Sequence, residues 1–543
     1  MRAVVAAALA LFAVAVAVAF AARARAWNDE LALVPAPLER LLPARVDDPH
    51  TPRLARRVVV VVIDGLGAGE SMLPFLDELR ARGVGAVARV SYPSISRPNY
   101  VTILSGVPPR DSGVRTNLVH APPGVDTVMD RAHAAGMRVA TASDYGSLAS
   151  LFGRRRDGVD AFDDVDRADS LDELGADLAA TLRGDHFTDD VDRLLRADAV
   201  HGELARLLAG ERAGDAELIA ILALDVDRAG HAHGVGDAYR AAAAAVDRML
   251  RGALAGFDYA RDTVVVTADH GHVPPGGHGG LEDETMHVPL ILAGAGVVPG
   301  AAPRDPRTID VAPTVAALLG VAPPGHAEGR ALVEVLQLAP ADAARRAAGD
   351  AERVHAVTAV TDAAAAADDA SRPEPGRLAA AAAVLALALV LALALRRSGA
   401  VALSPRSLAG VTGFVAMLVA VAIVLGGRAS PSYVPTLARA ELAGGIGAGV
   451  AIALHVVASL LAVRRARDPL AAASGAAIVG LGMTIGTIAV VRAWESPPFV
   501  DVPSPFWFVA VPSLELAVAT AAAGTTIALV VTLSRARSLA RAS

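Results

Sequence analysis

With 543 residues, 53% of them hydrophobic, the chain exceeds one ordinary domain, and its mean hydropathy of +0.44 excludes a wholly soluble protein. The formal charge of -7, with no long basic patch among the candidate site segments, argues against a nucleic acid polymer as partner. Cysteine is absent, which excludes disulfides and thiolate ligands, so any metal must be held by oxygen and imidazole.

After Arg2, the stretch from Ala3 to Ala22 is apolar without interruption and long enough to span a bilayer. Residues 1–26 read as a signal anchor, or as a signal peptide cut among the small residues near Ala22 to Ala26. A polar, proline-bearing lead-in follows over 27–56. From 57 to 338, short β-branched runs alternate with helical patterns, which predicts an α/β domain with a mostly parallel central sheet between helices. Within it, 154–212 is rich in aspartate and arginine at helical spacing and reads as a helical insert, and Asp310 to Gly320 reads as a helix closed by glycine. Residues 339–377, ending in Pro373-Glu374-Pro375-Gly376, read as a helix followed by a linker. The remainder, 378–543, holds five apolar segments near 378–395, 408–425, 442–463, 470–491 and 506–533, each long enough to cross a membrane.

Three apolar runs in the soluble part end in chemistry. Val58 to Ile63 leads to Asp64-Gly65; Leu222 to Leu224 leads to Asp225 and then Asp227 and His231; Val264 to Val266 leads to Asp269-His270-Gly271-His272. His278 follows in Gly-Gly-His-Gly-Gly. Acids and histidines at the carboxyl ends of buried parallel strands converge on the edge where open α/β sheets bind ligands, and such residues suit a divalent cation. Between the first two runs stands Ser91-Tyr92-Pro93-Ser94-Ile95-Ser96-Arg97-Pro98, a rigid turn with hydroxyls where a helix begins. A serine is a poor nucleophile at its free pKa and becomes a good one beside a divalent metal, so Ser96, placed before Arg97-Pro98, is the candidate nucleophile ahead of Ser94. His233 and His272 are candidates for contact with ligands or substrate; His287, just before Val288-Pro289-Leu290-Ile291, reads as a strand start instead.

On these motifs, over about Val58 to Leu319, the chain resembles the alkaline phosphatase superfamily. It looks like the nucleotide pyrophosphatase/phosphodiesterases and, more closely, the glycosylphosphatidylinositol ethanolamine phosphate transferases. Ser96-Arg97-Pro98, Gly230-His231-Ala232-His233, Gly276-Gly277-His278-Gly279 and Glu284-Thr285 carry the closer likeness. The resemblance implies an alkaline-phosphatase-like sheet between helices. It also implies one metal on Asp64, Ser96, Asp269 and His270, a second on Asp227, His231 and His278, and Asn117 on the substrate phosphate. The superfamily's usual metals are zinc pairs, Zn2+, with manganese, Mn2+, in some branches. Transferases of this kind also join an N-terminal span, an extracytoplasmic catalytic domain and a C-terminal membrane domain. This chain departs from them in having only about five C-terminal spans and Gly67 where those enzymes often carry arginine.

Arginines at 396, 397, 406, 464, 465, 467, 535, 537 and 541 fall in one set of loops and ends, whereas the alternate loops carry only Arg428, Arg439 and Arg492. By the positive-inside rule the first set is cytoplasmic, which places the soluble domain outside; Arg23 and Arg25 go against the rule locally. His455 and Glu515 fall inside apolar spans, where ionisable groups are costly and often functional, although Glu515 is near enough to an end to snorkel. The expected function is that of a membrane-anchored, two-metal phosphodiesterase or phosphotransferase acting through a phosphoserine on lipid-linked or glycolipid phosphodiesters. The alternatives are hydrolysis of soluble phosphodiesters, as by a nucleotide pyrophosphatase, and a catalytically silent membrane sensor or accessory module.

Overall fold

Valine and isoleucine runs of six or so residues, too short for buried helices and too apolar for a half-solvated strand, become the centre of a sheet covered on both faces. The computed structural model describes residues 1–32, 38, 51–119, 124–143, 216–371, 375–434, 437–494 and 502–542, with three two-residue strands between 155 and 164. Its strands are β1 Arg57–Ile63, β2 Val84–Arg89, β3 Val139–Ser143, β4 Arg155–Arg156, β5 Val159–Asp160, β6 Asp163–Asp164, β7 Leu218–Ala223, β8 Asp262–Thr267 and β9 His287–Gly294. Seven form one sheet in the order β2-β9-β8-β1-β7-β3-β6, and β4 and β5 pair separately. The β1, β7 and β8 strands, buried along their whole length, lie side by side and parallel. The β3 strand continues the parallel set with β7 and β6, whereas β9 runs antiparallel to β8 and β2. The sheet is therefore mixed, parallel from β8 to the β6 edge and antiparallel at the β2 edge. The expected helical insert over 154–212 lies largely outside the described residues.

Helices pack in two groups. Pro74–Arg82 meets Asp237–Ala253, and Ser96–Ser105 meets Val311–Leu319, which in turn touches Val128–Ala134. Asp247 closes the first group: its carboxylate accepts from the backbone N–H of Phe75 and Leu76 at 2.9–3.1 Å, where Pro74 opens the helix and donors are orphaned. The segment expected as helix and linker is helical over Pro340–Ser371. Its course as far as Ala366 belongs with the sheet domain, where Arg346, Asp350 and Arg353 are buried and bonded to Pro313 O, Ala331 N and Ala327 O respectively.

A second compact unit is built from Met1–Leu31 and the chain beyond 366. Among the described residues, five helices are long and apolar enough to cross a membrane: Arg2–Ala32, Pro405–Val424, Leu442–Val463, Pro469–Trp494 and Pro505–Arg541. Pro375–Arg397 forms a further apolar helix of 23 residues. The first helix buries Ala6, Ala10, Ala13 and Val16 against residues of Pro469–Trp494 and Pro505–Ala542, including Ala473, Ala477, Val518 and Leu529. It is tied at both ends. Arg2 pairs with Asp468 and donates to Gly399 O at 3.0 Å. At the other end Arg23 meets Glu515 at 3.0 Å, Arg492 meets Glu515 at 2.7 Å and Glu30 at 3.0 Å, and Trp27 Nε1 donates to Phe508 O at 3.0 Å. Glu515 is thus buried and ion-paired rather than snorkelling, and it pairs with Arg23, one of the two arginines that oppose the loop-charge pattern. His455 joins neighbouring helices by accepting from Gly413 N–H at 3.2 Å and bonding Thr525 Oγ1 at 3.1 Å.

Candidate active site

The register of the parallel strands brings three chain ends to one edge. Asp64 N–H donates to Ala223 O at 2.9 Å, which keeps β1 and β7 in step where each run stops. Gly65 then turns the chain at φ +74 and donates its N–H to Asp269 Oδ1 at 3.1 Å. The helix Asp225–His233 places Asp227 and His231 four residues apart on one face. From β8 the chain passes through Ala268 into Asp269-His270.

Asp64, Asp269, His270 and Ser96 meet in a first cluster. Asp64 Oδ1 and Asp269 Oδ2 lie 3.4 and 3.3 Å from His270 Nε2, and Ser96 Oγ lies 3.1 Å from the same nitrogen. His270 Nδ1 faces the Gly271 carbonyl at 3.2 Å, which assigns the ring proton to Nδ1 and leaves a lone pair on Nε2. Neither Asp64 Oδ1 nor Asp269 Oδ2 has a hydrogen-bond partner, although both are buried. Asp227, His231 and His278 form a second cluster. Asp227 Oδ1 is 3.4 Å from His231 Nε2 and 3.7 Å from His278 Nε2, and the two nitrogens are 3.0 Å apart. His278 Nδ1 faces Ser94 O at 2.8 Å, so its Nε2 also presents a lone pair. Bare acceptors converging on one point are costly unless a cation sits among them, most of all in the fully buried first cluster. Edges of this size match donors about 2.0–2.2 Å from a tetrahedral ion. Both donor sets therefore fit a divalent metal.

Burial pushes the Asp64 carboxyl well above the usual range, with Asp269 and Asp227 adding repulsion, and burial lifts Asp269 to about 7. Burial also drives His270 well below the ordinary imidazole value and His278 down to about 3, assisted by their neighbouring rings. For Asp227, burial acts upward but His231, His272 and His278 outweigh it, so its carboxyl lies well below the usual range. The set is short of positive charge on the Asp64 side, and burial favours the neutral, metal-ligating form of His270 and His278.

Asn117 lies at the start of the helix that Ser96 opens, its Oδ1 accepting from Arg97 N–H at 3.0 Å. The Arg97 side chain is buried and donates to Val119 O at 3.0 Å, which braces the Asn117 segment. Ser94 has a different task from Ser96. Its hydroxyl donates to Gly280 O and accepts from Gly279 N–H, both at 2.9 Å, so it joins the nucleophile loop to the loop carrying His278. His233 is exposed, and His287 begins β9, as its sequence context predicts.

Sequence reasoning missed two tyrosines. Tyr100 donates its hydroxyl to Asp64 Oδ2, and Tyr239 OH accepts from Gly67 N–H at 3.1 Å while donating to Gly65 O. Tyr100 carried a signal, since it stands four residues after Ser96 and so on the same helix face. Tyr239 had none, because only the tertiary fold brings its helix beneath the Gly65 turn.

Residues 58–288 match the model of the type I phosphodiesterase / nucleotide pyrophosphatase family. Over this segment the resemblance to the alkaline phosphatase superfamily holds. The segment is under half of the chain and contains both donor clusters, Ser96 and Asn117. The family is one of phosphoesterases, and the superfamily is metal-dependent. The 2,3-bisphosphoglycerate-independent phosphoglycerate mutases of Roseobacter denitrificans and Cereibacter sphaeroides are 34% and 36% identical over 122 and 125 residues, covering 22% of this chain and 24% of each relative. The chain thus spans about a quarter of the length of the curated relatives it matches. Similar solved structures include phosphonoacetate hydrolase from Sinorhizobium meliloti, with 22% identity, TM-score 0.31 and coverage of 42% of this chain and 60% of that one. Alkaline phosphatase PafA gives 12% identity, TM-score 0.42 and coverage of 53% and 100%.

Proposed function

We propose that the alkaline-phosphatase-like domain is a two-cation phosphodiesterase or phosphotransferase whose nucleophile is Ser96. The observation that carries this reading is the placement of Ser96 Oγ 3.1 Å from His270 Nε2, within a cluster of unsatisfied carboxylate oxygens and beside a second donor set. Asp64, Asp269, His270 and Ser96 would hold one cation; Asp227, His231 and His278 would hold the other. When bound, the two cations supply Lewis-acid charge that favours the serine alkoxide and offsets charge on the leaving oxygen. Oxygen and imidazole donors suit zinc or manganese.

In this mechanism Ser96 Oγ gives up its proton to solvent and forms a bond to phosphorus as the bond to the leaving alkoxide breaks, and that alkoxide takes up a proton from solvent. Water or an acceptor alcohol then attacks the phosphoserine and restores the hydroxyl. Ser96 opens a ten-residue helix, whose N-terminal donors and dipole favour the anionic nucleophile and the phosphoryl oxygens. Asn117, whose Oδ1 accepts from Arg97 N–H at the same helix start, would offer its amide N–H to a phosphoryl oxygen. Tyr100 and Tyr239 keep Asp64 and the Gly65 turn in place.

We assign the substrate to lipid-linked or glycolipid phosphodiesters, with the domain outside the cytoplasm. In support, the sheet domain is inserted between Arg2–Ala32 and the apolar helix Pro375–Arg397, so membrane insertion of both would tether it twice. Leu118 and Leu281, 45% and 48% exposed, stand on the two segments bonded to the nucleophile loop and offer apolar contact to a substrate tail.

The test uses the full chain, purified and loaded with Zn2+ or Mn2+, on a panel of phosphodiesters and phospholipids with product and acceptor both followed. Head-group transfer to a glycolipid would identify a transferase, and release of nitrophenol or a nucleotide without transfer would identify a hydrolase. Inertness toward every phosphodiester would overturn the proposal.

A further inference from the structure

His272 is buried, with its ring in a slot that only glycines leave open. A Cβ at Gly65 would lie 2.7 Å from His272 Nε2, and one at Gly230 would lie 2.7–2.9 Å from three atoms of the ring. Each nitrogen meets an oxygen: Nδ1 faces Gly276 O and Nε2 faces Asp227 Oδ1, both at 3.0 Å. The ring stands edge-on to Tyr239 at 5.8 Å and to His270 at 5.5 Å. His272, Asp227 and His270 each bring one ligand-type atom to within 4.8 Å of the other two. This set takes one residue from each cluster.

We propose that His272 is a positioning residue that fixes the rotamer of Asp227 and thereby sets the affinity of the second cation and its registry with the first. The proposal rests on the two-cation reading of the site. Asp227 follows β7 on the first turn of a helix, where a carboxylate has several rotamers open to it; Tyr100 restrains Asp64, and Gly65 restrains Asp269, but His272 is the partner at closest range to Asp227 Oδ1. Gly276 O, at the other nitrogen, belongs to the loop that carries His278, so one ring aligns two donors of the second site. Gly230 is then read as glycine because the ring needs its missing side chain, and at Gly65 the ring adds to the demand already set by φ +74.

The experiment titrates full-length wild type, His272→Asn and His272→Gln, stripped of metal, with Co2+, following visible absorption for ligand-field intensity and calorimetry for stoichiometry and affinity. Asparagine reaches only the Nδ1 position and keeps the Gly276 contact, whereas glutamine reaches the Nε2 position and keeps a donor toward Asp227. Asn should weaken one of two Co2+ equivalents by about 10- to 100-fold, the usual scale for losing a group that orients a ligand, while Gln recovers most of the loss. Melting of all three proteins in EDTA should coincide. Equal affinity in Asn and wild type, or equal loss in Asn and Gln, would overturn the role of His272. Binding of fewer than two equivalents by wild type would instead overturn the two-cation reading beneath it.

Discussion

Two hydroxyls separated by one residue divide the work in the nucleophile loop. Ser94 Oγ is committed to Gly279 and Gly280, whereas Ser96 Oγ faces the lone pair of His270 Nε2. Ser96 is the uncharged oxygen donor of its cluster and leaves two carboxylates and an imidazole behind, so Ser96→Ala is expected to keep the fold, to bind the first cation more weakly but still load it at saturating metal, and to lose at least about two orders of magnitude in turnover, a typical scale for removing a catalytic group. Ser94→Ala should retain chemistry and instead loosen the loop that orients His278, seen as weaker metal binding. Rapid quenching with a labelled phosphodiester and peptide mass spectrometry should locate the adduct on Ser96. An adduct on Ser94, or near-normal turnover in Ser96→Ala, would contradict the assignment. At this scale the sequence was informative where chemistry is local: Asp269-His270 and Asp227…His231 announce themselves by adjacency or by one helical turn. It was silent on Tyr239 and on the slot between Gly65 and Gly230, because those contacts join residues more than forty apart.

Apolar runs located strands and helices well, since a run of valines before an aspartate has few other uses. What the runs did not carry was direction. The antiparallel placement of β9 between β8 and β2 follows from the connections, and a short run such as Val288-Pro289-Leu290-Ile291 reads the same either way. In the second unit, composition showed long apolar segments but not their partners. The first helix is clasped by Glu515 and Arg492 at one end and by Asp468 at the other, so it is an integral member of its bundle. Removing it would strand a buried carboxylate with one arginine fewer. N-terminal sequencing or intact-mass measurement of protein from membranes should find Arg2 to Ala32 retained. A mature terminus between Ala22 and Trp27 would contradict this and restore the signal-peptide reading.

Viewed over the whole chain, two kinds of construction are joined in one sequence. The end of a parallel sheet gathers more carboxylate and imidazole lone pairs than its own protons can satisfy, and an apolar helical unit carries paired charges at its ends. The first carries the account, because every step proposed for Ser96 depends on the two donor sets holding separate cations. Elemental analysis of the purified full chain therefore tests it most directly, comparing wild type with Asp269→Ala and Asp227→Ala. The account predicts about two divalent ions in wild type and about one in each folded variant, since each substitution removes a donor from a different cluster. Full two-ion loading in both variants, or a single ion in wild type, would contradict it.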